Sequence, residues 1–131
     1  MTASEAPRPR RVRRPGADLD ALIARARAEV ALRRGGLRYL ADLDAAEGEG
    51  GVWWVLGRPT IGFALIRERR LIALYVAPEA RREGLGRQLL DAATRGRSGA
   101  RDGLALPGDR ATKSLFESAG WRARLLTMSA E

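Results

Sequence analysis

The apolar positions of this chain change their period from helical to extended and back. Leu19, Leu22, Ile23, Ala26 and Val30 recur at three- and four-residue steps, one stripe of an α-helix, and Gly35-Gly36 closes the run. Asp18, just ahead of the stripe, is the expected N-cap. Leu37, Leu40, Ala41 and Asp44 keep helical spacing, which predicts a second short helix from Leu37 to Ala46. After the glycine-rich loop Glu47 to Gly51 the pattern becomes extended. Strands are expected at Val52 to Leu56, Ile61 to Ile66 and Leu71 to Val76, joined by turns at Gly57 to Thr60 and Arg67 to Arg70. Consecutive strands on such short connections predict an antiparallel meander. Leu85, Leu89 and Ala93 then mark a helix ending near Arg95, and Leu104 to Leu106 reads as a short strand. Ala111, Leu115 and Ala119 mark a last helix with Gly120 at its C′ position, before an extended stretch from Trp121 to Met128. Arg10 to Arg14 can form a short edge strand, whereas Met1 to Pro9 is small, charged and Pro-containing and is expected to be disordered. Residues 10 to 131 are expected to form one domain of α+β or mixed α/β type.

Composition narrows the chemistry more than the fold. A chain of 131 residues, 45% hydrophobic and 31% charged, suits one soluble globular domain with a real core. It contains no Cys and no His, so thiolate nucleophiles, imidazole bases and the usual zinc ligands are excluded, and no metal site is expected. Catalysis must rely on carboxylates, Tyr, Ser, Thr, water or positioning. The net charge is +8, and Lys113 is the only lysine among 24 basic residues. Such a balance can serve nucleic acid, an anionic membrane or an anionic small ligand. Arg8, Arg10, Arg11, Arg13 and Arg14 carry much of the excess, and no aromatic ladder interleaves the basic residues. Nucleic acid is therefore not the expected partner, and guanidinium groups spread over a solvated surface are the plainer reading. No apolar run reaches the roughly 18 residues needed to cross a bilayer, and no hydrophobic stretch follows the basic N-terminus. A cytoplasmic protein without a membrane partner is expected.

The most informative segment is YVAPEARREGLGRQLL, residues 75 to 90. A strand ends at Val76, Pro78 stops it, and a helix starts near Gly84 to Gly86. Arg81, Gly84 and Gly86 spell R-x-x-G-x-G. A helix start leaves backbone N–H groups without partners and carries about half a positive charge. Glycines let an anion approach those amides, which suits a diphosphate. Arg81, Arg82 and Arg87 add charge around the turn. The segment lacks both the second spacing of a dinucleotide fingerprint and the Gly-Lys-Ser/Thr of a P-loop.

With its flanks, LYVAPEARREGLGRQLLDAA resembles the central strand, pyrophosphate loop and following helix of the GNAT superfamily of N-acetyltransferases. Downstream, GDRATKSLFESAGWRARLLTM is similar to that family's late helix and final strand, and RVRRPGADLDALIARA to its first strand and helix. The resemblance implies a splayed, mostly antiparallel mixed sheet of about six strands flanked by about four helices. It implies acetyl-CoA as co-substrate, with the backbone of Leu74, Tyr75 and Val76 along the pantetheine arm. The amides of Arg81, Arg82, Glu83, Gly84, Leu85, Gly86 and Arg87 would hold the pyrophosphate. Asp109, Lys113 and Phe116 would border the thiol end. The acetyl group would pass directly to a small-molecule or peptide amine, and a homodimer is a common arrangement for such folds.

Two positions depart from the family pattern. Where many members carry a strand glutamate that takes the amine proton, this chain reads Leu71-Ile72-Ala73-Leu74. Where many carry a tyrosine that protonates the thiolate, it has Phe116. Three accounts remain open. Orientation alone can contribute about 7–11 kcal/mol. Alternatively Tyr75, Glu68, Asp109 or Glu117 takes over a proton, with Asp109 foremost because it stands at a helix start by the thiol end. Lastly, the domain binds acyl-CoA without turning it over. Each residue also has a plainer role: Asp109 as an N-cap, Tyr75 as a sheet residue with a solvent-reaching hydroxyl, Lys113 as an exposed charge, Phe116 as packing. Of Trp53 and Trp54, adjacent on one strand, one is expected in the core and the other at a pocket or interface. The basic surface argues against polycationic acceptors.

Overall fold

A computed structural model describes residues 8–13, 15–48, 50–97, 99–107, 109–126, 128 and 130. The expected disordered tail lies outside these residues except for Arg8 and Pro9. Along the chain run β1 (Arg10–Val12), α1 (Ala17–Ala31), α2 (Gly36–Gly48), β2 (Val52–Leu56), β3 (Gly62–Arg67), β4 (Arg70–Val76), α3 (Leu85–Ala93), β5 (Asp102–Gly103) and α4 (Arg110–Ser118). The strands form one sheet in the order β1-β2-β3-β4-β5. All pairs are antiparallel except β4–β5, which is parallel. The meander is the expected one, to within a residue at each strand end.

Strand alternation sends side chains to two cores. Trp53, Val55, Phe63, Leu65, Ile72 and Ala73 meet Leu19, Leu22, Ile23 and Ala26 of α1 and Leu43 and Ala46 of α2. Leu56, Ala64, Ile66, Leu71 and Val76 face the other way, onto Leu85, Leu89, Leu90 and Ala93 of α3 and Phe116 of α4. The sheet is thus a middle layer covered on both sides, which explains why β3 is buried along nearly its whole length. Burying each such Leu or Phe contributes about 1.5–3 kcal/mol relative to leaving it exposed. Trp53 is the core tryptophan, and Trp54 packs partly buried on the α3 side.

Four expectations need correction. Helix α1 is capped by Gly16, not Asp18. Pro15-Gly16 starts the helix early, and Asp18 and Asp20 fall in its first turn, where they face the positive end of the dipole. The late strand pairs through Asp102–Gly103, not Leu104 to Leu106. A glycine suits this position, because a Cβ added at Gly103 would lie 3.0 Å from Phe116 Cζ and 3.1 Å from Trp121 Cζ3, and both rings would have to shift. Residues 121–126 form no strand. Trp121 turns back to stack on Phe116, at 4.9 Å between centroids and 7° between planes, while Leu125 and Leu126 stay exposed. The described sheet accordingly has five strands rather than about six.

Candidate coenzyme and substrate cleft

The cleft begins with one extra residue in β4. Leu65 pairs with Ala73 and Ile66 with Leu71, which leaves Ile72 as a bulge. A bulge bends its strand and increases its twist. Below it β4 is held to β5, and the Leu104 amide donates to the Leu71 carbonyl at 3.1 Å. Beyond that bond the two segments part. Between them opens a cavity of about 520 Å³, lined by residues 73–76 of β4, the turn into α3, residues 104–106 and the first half of α4.

Ladder geometry fixes which backbone groups face it. The Ala77 amide donates to the Ile61 carbonyl at 2.8 Å, so residues 77, 75 and 73 form the bonded pairs with β3. Leu74 and Val76 therefore turn their amides and carbonyls the other way, toward the cleft. The Val76 carbonyl accepts from Arg81 Nε at 2.9 Å, as this orientation requires.

At one end of the cleft the chain passes through a 3-10 turn, Pro78–Ala80, and enters α3. Gly84 is the N-cap in the left-handed region at φ 76°, and no side chain caps the helix. The first-turn amides of Leu85, Gly86 and Arg87 are those a helix start leaves without intrahelical partners. Gly86 lets α3 close on its neighbours, since an added Cβ would lie 3.3 Å from Leu115 Cδ2. The loop arginines have different occupations. Arg87 bonds Asp91 at 3.0 Å and the Ser118 carbonyl at 3.4 Å, joining α3 to α4. Arg81 turns away from the loop to Val76 and Glu29. Arg82, at φ 69°, has no ion-pair partner among the described residues.

The opposite end is built by α1 and α2. Ala26, Glu29 and Val30 of α1 and Arg33 just past its end line it, with Tyr39 and Leu43 contributed by α2. Glu29 is the hub. Its Oε2 accepts from the Tyr75 hydroxyl at 2.8 Å, both its oxygens accept from Arg81 at 3.1 Å, and Oε1 accepts from Arg33 at 3.1 Å. Burial works to raise the Glu29 carboxyl, but the hydrogen bonds outweigh it and hold the group below its usual range. Tyr75 responds in the opposite sense. Burial, then the bond to Glu29, push its phenol up to about 12. Arg81 also lies over the Tyr75 ring, 5.3 Å from its centroid. Burial, then the Asp109 carboxylate, hold the Tyr39 phenol well above its usual value, against a pull from the Leu74 amide. Asp109 caps α4: Oδ1 accepts from the Thr112 amide at 3.1 Å and Oδ2 from the Thr112 hydroxyl at 2.6 Å.

Of the residues singled out in the sequence, Leu74, Tyr75, Val76, Arg81, Arg82, Gly84, Leu85, Gly86, Arg87 and Asp109 come together around this one cavity. Glu83, Lys113, Phe116, Glu68 and Glu117 are not among its lining residues. Lys113 reaches back to the Pro107 carbonyl at 3.3 Å. Phe116 points its ring edge at Gly103 and its face at Trp121, so a hydroxyl on that ring would enter the β5 packing rather than the cleft. The Tyr75 hydroxyl is bound to Glu29 instead of reaching solvent freely. Glu29, Arg33 and Tyr39 were not foreseen. Glu29 and Arg33 lie one turn apart on the edge of the α1 apolar stripe, and that placement was the available signal.

The family pattern of an acetyltransferase (GNAT) domain matches residues 39–123, and the chain belongs to this family. Its fold is similar to the aminoglycoside N-acetyltransferase AAC(6')-Iy. One structure, in complex with the bisubstrate analogue CoA-S-monomethyl-acetylneamine, superposes with a TM-score of 0.58 at 15% identity over 97% of this chain and 99% of that one. A second, in complex with CoA, gives a TM-score of 0.59 at 15% identity over 95% and 93%. No curated protein matches the chain.

Proposed function

We propose that this chain, as one domain from residue 10 onward, is a cytoplasmic N-acetyltransferase that moves an acetyl group from acetyl-CoA to a primary amine. The observation that carries the reading is the parting of β4 from residues 104–106, with the Leu74 and Val76 backbone facing a cavity that ends on the uncapped start of α3. Acetyl-CoA fits this arrangement. A diphosphate meets the Leu85 to Arg87 amides, the positive end of α3 and the Arg82 side chain. The pantetheine amides find the exposed edge of β4 as a strand partner. That edge leads the thioester to the middle of the cleft, between Tyr39, Tyr75 and Asp109.

The chemistry asks little of side chains once the reactants are aligned. The amine nitrogen bonds to the acyl carbon, the carbon–sulfur bond breaks, the nitrogen loses a proton and the thiolate gains one. The Leu74 amide, which faces the Tyr39 hydroxyl, is the donor that would pass to the acyl oxygen when the thioester takes that place. Asp109 is the carboxylate nearest the α4 wall, and we assign it the amine proton. Tyr75 is protonated at every physiological pH and keeps Glu29 and β4 in register beside the acceptor. Lacking a hydroxyl at position 116, the chain relies chiefly on orientation, which supplies about 7–11 kcal/mol when it is good.

Calorimetric titration with acetyl-CoA, followed by coenzyme A release with an amine panel, tests this reading. The wild type is expected to bind in the micromolar range, about −8 kcal/mol. Gly84→Glu introduces a side chain at positive φ and a carboxylate at the diphosphate, and is expected to weaken binding at least tenfold while the protein still folds, with melting lowered by the roughly 1–2 kcal/mol cost of that backbone conformation. Equal binding by the variant would remove the loop from the site. Tight binding without turnover of any amine would make the protein an acyl-CoA-binding module instead.

A further inference from the structure

From the α1/α2 end of the cleft we infer the class of acceptor: an amine with a single positive charge and an apolar body, not a polyamine or other polycation. The inference rests on the proposed acetyltransferase reading and concerns the half of the cleft that the coenzyme would leave free. Ala26 and Val30 of α1, Leu43 of α2, Phe63 of β3, Ala73 of β4 and Leu104 supply its apolar lining. Ala26, Leu43, Phe63 and Ala73 belong to the core on the α1/α2 face and Leu104 packs against it, so the pocket continues that core. An alkyl or aryl group entering it exchanges water for hydrocarbon contact.

Charge points the same way. Among the lining residues there are two carboxylates, Glu29 and Asp109, and four guanidiniums, Arg33, Arg81, Arg82 and Arg87. Both oxygens of each carboxylate already accept hydrogen bonds from the protein. Glu29 in particular lies between two arginines. A second ammonium on the acceptor would therefore find no free carboxylate and would meet Arg33 and Arg81 in a partly desolvated cleft. Like charges repel strongly in such surroundings. One ammonium is tolerable, because the amine loses its proton to react. A site built for a polycation needs several carboxylates free of cations, and the described lining offers only Asp109, which the proposed reaction gives to the one reacting amine.

Hexylamine and 1,6-diaminohexane are nearly isosteric and differ by one charge, so they test the inference directly. Both are titrated, with ethylamine and butylamine, into the protein saturated with coenzyme A, and kcat/KM is measured with acetyl-CoA. From ethylamine to hexylamine, affinity and kcat/KM are expected to rise about three- to tenfold for each two methylenes, partial burial keeping the gain below the full transfer value. 1,6-Diaminohexane is expected to fall roughly 100-fold below hexylamine, the cost of about 2.7 kcal/mol for an unpaired charge near Arg33 and Arg81. Val30→Asp places a free carboxylate on the wall and should narrow that gap. A flat alkylamine series, or a diamine that binds as well as hexylamine, overturns the inference. So does a chain-length gain that appears with hexanoyl-CoA over acetyl-CoA and not with the amines, since the apolar volume would then hold the acyl group. Failure of acetyl-CoA itself to bind, measured separately, defeats the acetyltransferase reading instead.

Discussion

Glu29 shows how a side chain with no apparent claim in the sequence can organise a site. It joins α1 to β4 through Tyr75 and to the turn before α3 through Arg81. Its effect on stability has a definite pH signature. The Glu29 carboxyl is held below its ordinary value of 4.5, so it adds stability above that value and loses it as pH falls through the lower folded value. Tyr75 is raised from 10.0 to about 12, so its contribution is complete below about pH 10 and disappears as pH rises through about 12. Glu29→Gln is expected to lower stability by about 1–2 kcal/mol near neutral pH, because charge-assisted bonds weaken and one acceptor becomes a donor, discounted for partial exposure. Melting curves across pH should show a flatter acid limb for Glu29→Gln and a flatter alkaline limb for Tyr75→Phe. Unchanged limbs would mean that the triad of Tyr75, Glu29 and Arg81 does not persist in solution.

The elements differ in how legible they were, and the reason lies in where their information resides. Strands β2, β3 and β4 were readable because apolar residues fill short runs between turn residues, and α3 and α4 because their stripes are clean. Strand β5 was not readable: what defines it is the absence of a side chain at Gly103 against Phe116 and Trp121, a contact between distant residues. The bulge at Ile72 was equally hidden, since Leu71-Ile72-Ala73 looks like any apolar run. The turn into α3 was visible as Gly84 and Gly86, yet the turning of Arg81 toward Glu29 depends on a helix about fifty residues earlier. Asp109 was assigned both a cap and a proton, and α4 separates these roles. Asp109→Ala removes the acceptor for Thr112 and is expected to cost about 1 kcal/mol. Asp109→Asn keeps a good cap and should leave the melting temperature within about a degree or two. If turnover then falls tenfold or more with acetyl-CoA binding unchanged, Asp109 takes part in proton transfer. Equal turnover reduces it to a cap.

Considered whole, the molecule is a sheet clamped on both sides whose fourth strand is held to its neighbour at one end only. Strand β4 is paired with β3 along its length and feeds both cores, while on its other side residues 74–76 expose a backbone edge that nothing in the described chain completes as a ladder. Open edges are sites where another strand-like molecule adds on. This asymmetry predicts where the coenzyme is felt. Amide hydrogen exchange with and without saturating acetyl-CoA should show added protection at Leu74 and Val76, whose amides face the cleft, and at Leu85 to Arg87. Gly62 to Arg67, bonded on both sides within the sheet, should change little. At a ligand concentration one hundred times Kd the global gain is about 2.7 kcal/mol, which for a chain of this size raises the melting temperature by roughly 8–13 °C. A global rise in protection without the local pattern would indicate binding elsewhere. Protection confined to α3 would retain the diphosphate site and remove the β4 edge from it, leaving the pantetheine arm to run along α4.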